Sequence, residues 1–453
     1  MKRPPKIKLE NKPTYVKFAE DIDFFSLFKK IEREFDSCFF FESLGEQAKF
    51  ARYSIIGFGA EHIVSADAAN FILDGEMYPT DNPYEMLRDI MPEHVASKIF
   101  AGGLVGYVGY DSVNFFEPGV HLKAHPVFPP FMFGVYTDGL ILDRLTNEVS
   151  YFFYEKSRLE DLQRIHKKKV PASKISIGFV KDALSKDEHR EIVARVKEHI
   201  RAGDIFQCQV GFQSEFELKG DTIKLYERLR GINPSPFMYY LKFGSKKIIG
   251  ASPELHFSLR SGEMETHPTA GTIRRGTTEK EDALLARALL NDEKERAEHN
   301  MLVDLHRNDL GRVSRFGTVR VKELMTVRRF SHVQHLVSEI TGLVRPGVDM
   351  FAAFASSFPG GTVSGTPKVE AMKITDRNEK EGRGPYGGGV GHFGFDGNCT
   401  FALTIRSLYC DGSYAYTETS SGIVYDSVPE KEYEEIQNKF GALRKVLGIK
   451  NTL

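Results

Sequence analysis

The stretch "FMFGVYTDGLILDRLTNEVSYFFYEK", residues 131–156, carries apolar residues at period two on either side of Thr146-Asn147. Such alternation predicts half-buried strands, and a Thr-Asn step between two of them predicts a hairpin, hence antiparallel pairing. Working outward, residues from about 14 to 155 read as short apolar strands broken by turns. "SCFFFES" (37–43), "ARYSIIGFG" (51–59) and "GGLVGYVGYD" (102–111) are examples. A charged, apolar-poor segment follows, "KSRLEDLQRIHKKKVPASK" (156–174), whose lysines read as a solvated surface and whose Pro171-Ala172-Ser173 end reads as a linker. Two modules are expected, 1–170 and 175–453.

The second module opens on Ser185 and Glu188, an S-x-x-E capping box. Ile192, Val193, Val196 and Ile200 follow at helical spacing, and Gly203 supplies the stop. Beyond it come strands in "DIFQCQVGFQSEFEL" (204–218), "PFMYYLKF" (236–243) and "KKIIGASPELHFSL" (246–259), then a long helical stretch over 279–309. More strands and helices, a glycine-rich turn "GPYGGGVGHFGF" (384–395) and a helical "PEKEYEEIQNKFGALRKVLG" (429–448) complete the chain. Strands and helices mix without strict β-α alternation. The expected class is α+β, with layered antiparallel β-sheets and helices.

Composition excludes several functions. The chain has 453 residues, 41% hydrophobic and 27% charged, with a formal net charge of −1. That balance gives no bulk attraction for nucleic acid or an anionic membrane. The basic start "MKRPPKIKLENK" is followed by no apolar core, and no apolar run is long enough to cross a bilayer. Four scattered cysteines (Cys38, Cys208, Cys399, Cys410) without a CxxC pair suggest reduced, packed thiols and a cytoplasmic setting. Tryptophan is absent, beside 35 Phe and 18 Tyr.

Among the glycine-bearing segments, "GGTVSGTPK" (360–368) has phosphate-loop spacing from Gly360 to Gly365 but continues Thr-Pro-Lys. Pro367 removes an N–H where a phosphate cradle needs one. "PYGGGVG" (385–391) lacks the strand-then-helix setting of a dinucleotide fingerprint. Zinc-type His/Cys spacing and a G-x-S-x-G elbow are absent. The acidic clusters say more. Glu432, Glu435 and Lys439 share one helix face, and Glu295 and Glu298 share another. Alone, these are solvated faces; if they met, they would offer an oxygen-only ligand set suited to Mg²⁺.

Read together, ten segments resemble the chorismate-utilising enzyme family, most closely its anthranilate synthase component I branch. They are "GDIFQ", "NPSPFM", "GASPE", "PTAGTIRRG", "AEHNMLVDLHRNDLGRV", "VQHLVSEITG", "FPGGTVSGTPK", "YGGGVG", "IRS" and "GIVYDSVPEKEYEE", in the family's order from about 203 to 440. "FFFES" and "RYSIIG" extend a weaker likeness into the first module. The resemblance implies Mg²⁺ held by Glu298 and Glu435, with Glu432 a neighbouring candidate. It places the substrate chorismate against Gly271, Thr272, Tyr386, Arg406, Ser420, Ser421, Gly422 and Lys439. Glu254 matches the family's general acid, His335 the histidine associated with loss of pyruvate, and Thr362 a substrate-proximal position. Without the motif, His335 would read as a satisfied helix histidine.

Two positions bear on the reaction. Ala270 stands where aminodeoxychorismate synthases typically carry a nucleophilic lysine, and Gln207 where isochorismate and salicylate synthases carry a lysine that activates water. With neither present, ammonia is the nucleophile the resemblance leaves, and the implied reaction is chorismate and ammonia to anthranilate and pyruvate. The chain shows no glutaminase segment, so a separate glutamine amidotransferase subunit is implied. Aminodeoxychorismate synthase, a product halted at aminodeoxyisochorismate, and a non-catalytic chorismate- or amino-acid-binding regulator stand as the alternatives. "FFFES" corresponds to the family's tryptophan-binding motif, which places Ser43, with Pro236, Phe237 and Met238, at an L-tryptophan feedback site. Departures from the family pattern are Ser420-Ser421 for its glycine-alanine, Gly211-Phe212 for its serine-arginine, and Phe237 for its tyrosine.

Overall fold

The computed structural model describes residues 3–9, 12–45, 52–93, 95–330 and 332–449. Of the basic opening stretch, Met1, Lys2, Glu10 and Asn11 lie outside the described residues, as does Ala51. Thr146-Asn147 does close a hairpin. Gly139–Asp143 pairs antiparallel with Glu148–Phe153, Asp143 facing Glu148, and Asn147 takes the left-handed φ of 56° that such turns favour. The run before it departs. Phe131–Tyr136 pairs with Gly103–Val108 and His62–Ala66 in a different sheet, so the chain changes sheet at Thr137-Asp138. Asp138 is buried there and bonded by Tyr151 Oη (2.7 Å) and Arg158 Nε (2.8 Å).

Among the described residues two twelve-stranded sheets result, and the pairings within them are antiparallel. The first sheet runs from Thr14–Glu20 at one edge to Ile175–Asp182 at the other; the second runs from Thr269–Arg274 to Glu76–Pro79. Both draw on the chain before and after residue 171. Ser37–Glu42 pairs with Phe237–Phe243 in the first sheet, and Gly103–Val108 with Gly389–Gly394 in the second. The stretches 1–170 and 175–453 therefore build the same two sheets. Phe39, Tyr136, Tyr239, Tyr409 and Tyr416 fill one shared core, while Phe28, Leu162, Leu229 and Leu443 pack helices onto the first sheet.

The helix Lys186–Ala202 has the expected capping box at Ser185 and Glu188 and ends on Gly203 at φ 84°. The expected long helix over 279–309 is two: Glu279–Asn291 and Glu293–Gly311. Asp292 interrupts it with extended backbone and caps the second helix by accepting from the Glu295 N–H at 3.0 Å. The helix Pro429–Leu447 is continuous.

The Gly211-Phe212 departure has a packing cause. Gln207–Gly220 pairs along its length with Tyr414–Ile423, and a Cβ on Gly211 would lie 2.0 Å from the Thr419 carbonyl. Phe212 stacks on Tyr433 (5.9 Å between centroids, 20°) and so seats the helix Pro429–Leu447 on this sheet. We predict that Gly211→Ser destabilises the fold by about 1–3 kcal/mol or more, as overpacking does. A thermal or denaturant midpoint equal to that of the unmodified protein would contradict the close approach.

Candidate active site

Glu254 lies between the strands Lys246–Ser252 and Leu255–Arg260, where the chain passes from the first sheet to the second. It is buried, and Thr362 Oγ1 donates to its Oε1 at 2.6 Å. Burial pushes the carboxyl up to about 8, while the Thr362 hydroxyl and the Thr269 backbone pull back. A proton is thus held at neutral pH, as a general acid requires. Thr362 sits in the single turn Gly361–Val363. The rest of "GGTVSGTPK" forms no phosphate cradle. Gly365–Thr366 pairs with Gln207 and Cys208, the next helix starts at Lys368, and Lys368 Nζ is bound to buried Asp309 at 2.7 Å.

His335 stands on a strand, Val333–Leu343, which corrects the helix reading. The strand pairs with Thr269–Arg274 through a bulge between Ala270 and Thr272. Gly271 is the bulged residue, with φ 76°. His335 Nδ1 lies 3.0 Å from both the Gly271 carbonyl and Thr272 Oγ1. Burial lowers this imidazole to about 4, and nearby Arg406 and Lys439 add to the fall, although the Gly271 carbonyl opposes it. The ring is therefore neutral. Donation from Nδ1 to the carbonyl leaves Nε2 with the lone pair of a base. Ala270, next on the strand, offers only a methyl group.

Gly271 has a second use. A Cβ there would lie 3.2 Å from Glu295 Oε2, so the missing side chain admits that carboxylate. Glu295 and Glu298 come from the helix Glu293–Gly311, and Glu432 and Glu435 from Pro429–Leu447. The two acidic faces lie close enough to interact, since Glu435 raises both Glu295 and Glu298. Burial raises Glu298 to about 7, with Glu295 and Glu435 pushing further and Lys294 opposing. Glu295 is raised by burial first and then by its acidic neighbours, Glu435 among them; Glu432 is raised by burial and Glu435, with Ser427 and Ser421 opposing. Glu432 Oε2 is buried without a hydrogen-bond partner. Glu435 is held by Lys439 at 2.7 Å, and Lys294 lies 3.6 Å from Glu298. Two lysines among four carboxylates leave negative charge unrelieved, and the donors are all oxygen. This set fits a hard divalent cation. Glu295 stands beside it, its carboxyl raised in part by Glu435, although sequence spacing showed only that it shares a face with Glu298.

A separate group, Glu265, His267 and Glu339, brings its ligand atoms within 4.8 Å of one another. There His267 Nε2 is 2.5 Å from Glu265, and Lys322 lies 3.5 Å from Glu339 and 2.9 Å from Glu263, so acid is already matched by base.

Hydrogen bonds connect the remaining expected residues. Arg406 takes a left-handed φ of 54°, donates from Nη1 to the Lys439 carbonyl (2.8 Å) and stands within the electrostatic reach of Tyr386 and Glu435. Lys439 Nζ donates to the Ser420 carbonyl at 2.8 Å. Tyr386 is buried and its hydroxyl is 2.9 Å from Ser420 Oγ. A Cβ on Gly422 would lie 2.7 Å from Gln207 Nε2, so that glycine makes room for the two glutamines Gln207 and Gln209. All four cysteines are free and buried; Cys208 Sγ is 3.2 Å from Thr375 Oγ1. Burial raises the thiols, which are packing groups rather than nucleophiles.

Ser43 and the "NPSPFM" segment are brought together by strand pairing: Glu42 faces Met238, and the Leu44 N–H donates to the Ser235 carbonyl at 2.9 Å. Ser43 Oγ is buried without a hydrogen-bond partner. Pro236 and Phe237 line a cleft with Pro253 and Thr269, and Phe237 pairs with Ser252, two residues from Glu254.

We predict that Glu254 stays protonated as pH rises, losing its proton only near pH 8. A carboxylic C=O stretch, absent from Glu254→Gln, should report it in difference infrared spectra. Thr362→Val removes a bond that favours the carboxylate, so the loss should move to higher pH. An ionised Glu254 at pH 6 would contradict the buried setting.

The model for chorismate binding enzymes matches residues 36–445. Anthranilate synthase component 1 of Leptospira biflexa is 48% identical, with 98% of each chain covered. The same-named protein of Methanothermobacter thermautotrophicus is 42% identical over 99% of this chain and 95% of its own. The crystal structure of anthranilate synthase component I from Streptococcus pneumoniae superposes with a TM-score of 0.80 at 31% identity, over 87% of this chain and 92% of that one. The Escherichia coli isochorismate synthase MenF shares the fold (TM-score 0.75, 18% identity, 99% of this chain and 96% of that one). The chain belongs to the chorismate-binding enzymes, in their anthranilate synthase component 1 family.

Proposed function

We propose that this chain converts chorismate and ammonia to anthranilate and pyruvate, as the first committed chemistry toward tryptophan. The observation that carries it is the placement of a protonated acid, Glu254, and a neutral base, His335, around a strand whose position 270 holds an alanine. Glu254 gives its proton to the departing ring hydroxyl, since hydroxide leaves a ring poorly. Ammonia, arriving unprotonated, forms the C–N bond without help from a lysine. His335 Nε2 accepts a ring proton as the enolpyruvyl group departs and becomes pyruvate. Arg406 and Tyr386 hold the enolpyruvyl carboxylate, and Gly271-Thr272 lets the substrate approach the backbone. Mg²⁺ bound by Glu298 and Glu435, beside Glu432 and Glu295, would neutralise the ring carboxylate and make the ring easier to attack.

Ammonia is supplied by a separate glutamine amidotransferase subunit in a heteromeric complex, in a cytoplasmic setting. Among the described residues no helix is long and apolar enough to cross a membrane. Product analysis with chorismate, Mg²⁺ and an ammonium salt at mildly alkaline pH should yield fluorescent anthranilate and pyruvate. Isochorismate or a para-aminobenzoate precursor would overturn the reading. Glu298→Gln should raise the Mg²⁺ concentration needed for half-maximal activity by about tenfold or more, with the fold intact by circular dichroism. Near-normal turnover at low Mg²⁺ would remove Glu298 from the ligand set.

L-Tryptophan inhibits by binding where Ser43 meets Pro236, Phe237 and Met238. Strain or ordering there reaches Glu254 through the Phe237–Ser252 pair, so tryptophan and chorismate should weaken each other's binding reciprocally. The chain has no tryptophan, so indole emission reports added ligand alone. Binding should saturate, weaken with chorismate and Mg²⁺, and vanish in Ser43→Phe. Unchanged inhibition in that variant would exclude the site.

A further inference from the structure

The Ser420 departure sits at a hydrogen-bonded junction. Ser420 Oγ is 3.0 Å from Gln209 Oε1 and 2.9 Å from the Tyr386 hydroxyl, and all three side chains are buried. A serine has one proton to give, and an amide oxygen only accepts. Ser420 therefore donates to Gln209, and in the remaining bond Tyr386 must donate to Ser420. The Gln209 Nε2 lies on the Gly422 side, 2.9 Å from where a Cβ there would stand, and the amide oxygen faces Ser420. The phenol proton thus points at Ser420, and only lone pairs are left for any other partner. A carboxylate also brings only lone pairs. Burial keeps the phenol protonated, up to about 12, so it cannot adapt by ionising.

We infer that Ser420 and Gln209 are positioning residues that hold the Tyr386 proton away from the substrate, so that chorismate must displace the Ser420 contact before Tyr386 can donate to its carboxylate. This rests on the reading above in which Tyr386 and Arg406 hold the enolpyruvyl carboxylate. Removing either member of the relay releases the phenol proton: Ser420→Ala deletes its acceptor, and Gln209→Leu frees Ser420 to donate to Tyr386 instead.

Steady-state kinetics of the full chain with ammonium as nitrogen donor test this. Ser420→Ala and Gln209→Leu should each lower KM for chorismate by roughly five- to tenfold, raising kcat/KM, which a merely structural loss would not do. In a Tyr386→Phe background neither change should alter KM further. A KM that is unchanged or raised in Ser420→Ala or Gln209→Leu overturns the relay, and if one variant fails to fold the other carries the test. Tyr386→Phe alone separates the two readings. If it raises KM while the relay variants stay inert, only the relay fails; if it leaves KM unchanged, the carboxylate assignment fails and takes the relay with it.

Discussion

Arg383 and Glu379 form a buried ion pair on which the geometry of the pocket depends. The guanidinium donates to both carboxylate oxygens of Glu379 at 2.7 Å, to the Val363 carbonyl at 2.6 Å and to the Gln209 carbonyl at 3.0 Å. Glu379 Oε1 in turn accepts from the Gly211 N–H at 2.9 Å. One side chain pair therefore ties the strand Gln207–Gly220 to the turn that carries Thr362 and to the loop that carries Tyr386. Glu418, 3.8 Å from Arg383, is a second acid beside the same cation, but burial, with Glu379 close by, drives its carboxyl well above its usual range. Breaking a buried pair leaves an uncompensated charge, at a cost of about 3–5 kcal/mol, so the three segments are held in one arrangement. Thr362 can meet Glu254, and Tyr386 can meet Ser420, because this pair fixes the walls behind them.

Strand pairing supplies the second constraint. Phe237–Phe243 lies between Ser37–Glu42 on one side and Lys246–Ser252 on the other. An antiparallel ladder has no slack in register, since a one-residue slip turns every side chain to the wrong face. Ser43 and Glu254 are 211 positions apart in the chain (254 − 43), yet both sit at the ends of strands adjoining the same Phe237. A ligand that shifts Phe237 cannot leave Ser252 untouched. This is the physical content of the proposed coupling between inhibitor and substrate.

Local features were legible in the sequence because they are local. The Ser185 capping box, the Gly203 stop, the Thr146-Asn147 hairpin and the shared face of Glu432, Glu435 and Lys439 each depend on residues within a turn or two. The antiparallel class followed from the same evidence, and the substrate-site residues came only with the family resemblance. What stayed hidden depends on distant partners. Nothing in "FMFGVYTDGLILD" announces that its two strands join different sheets, because the switch is stabilised by Arg158 and Tyr151 acting on Asp138. Glu295 reads as half of a solvated pair until the Gly271 bulge, set by pairing with Val333–Leu343, opens space for it. The break at Asp292 went unread because helical composition continues on both sides of it, and only the structure shows it capping the second helix. Ser420 read only as a departure from the family's glycine, whereas its hydroxyl is bonded on two sides.

The site holds carboxyl groups raised for two different reasons, and the difference divides their chemistry. Glu254 rises because it is buried beside neutral groups, the Thr362 hydroxyl and the Thr269 backbone. Glu298 and Glu295 also rise by burial, but further because acids crowd acids. A divalent cation relieves the second cause and has little purchase on the first. Cation binding would therefore pull the cluster back to ionised ligands while leaving Glu254 protonated, so that one pocket holds carboxylates and a carboxylic acid at the same pH. Surroundings separate the two roles: the helical acids stand beside one another, and Glu254 stands among neutral groups where the chain leaves one sheet for the other.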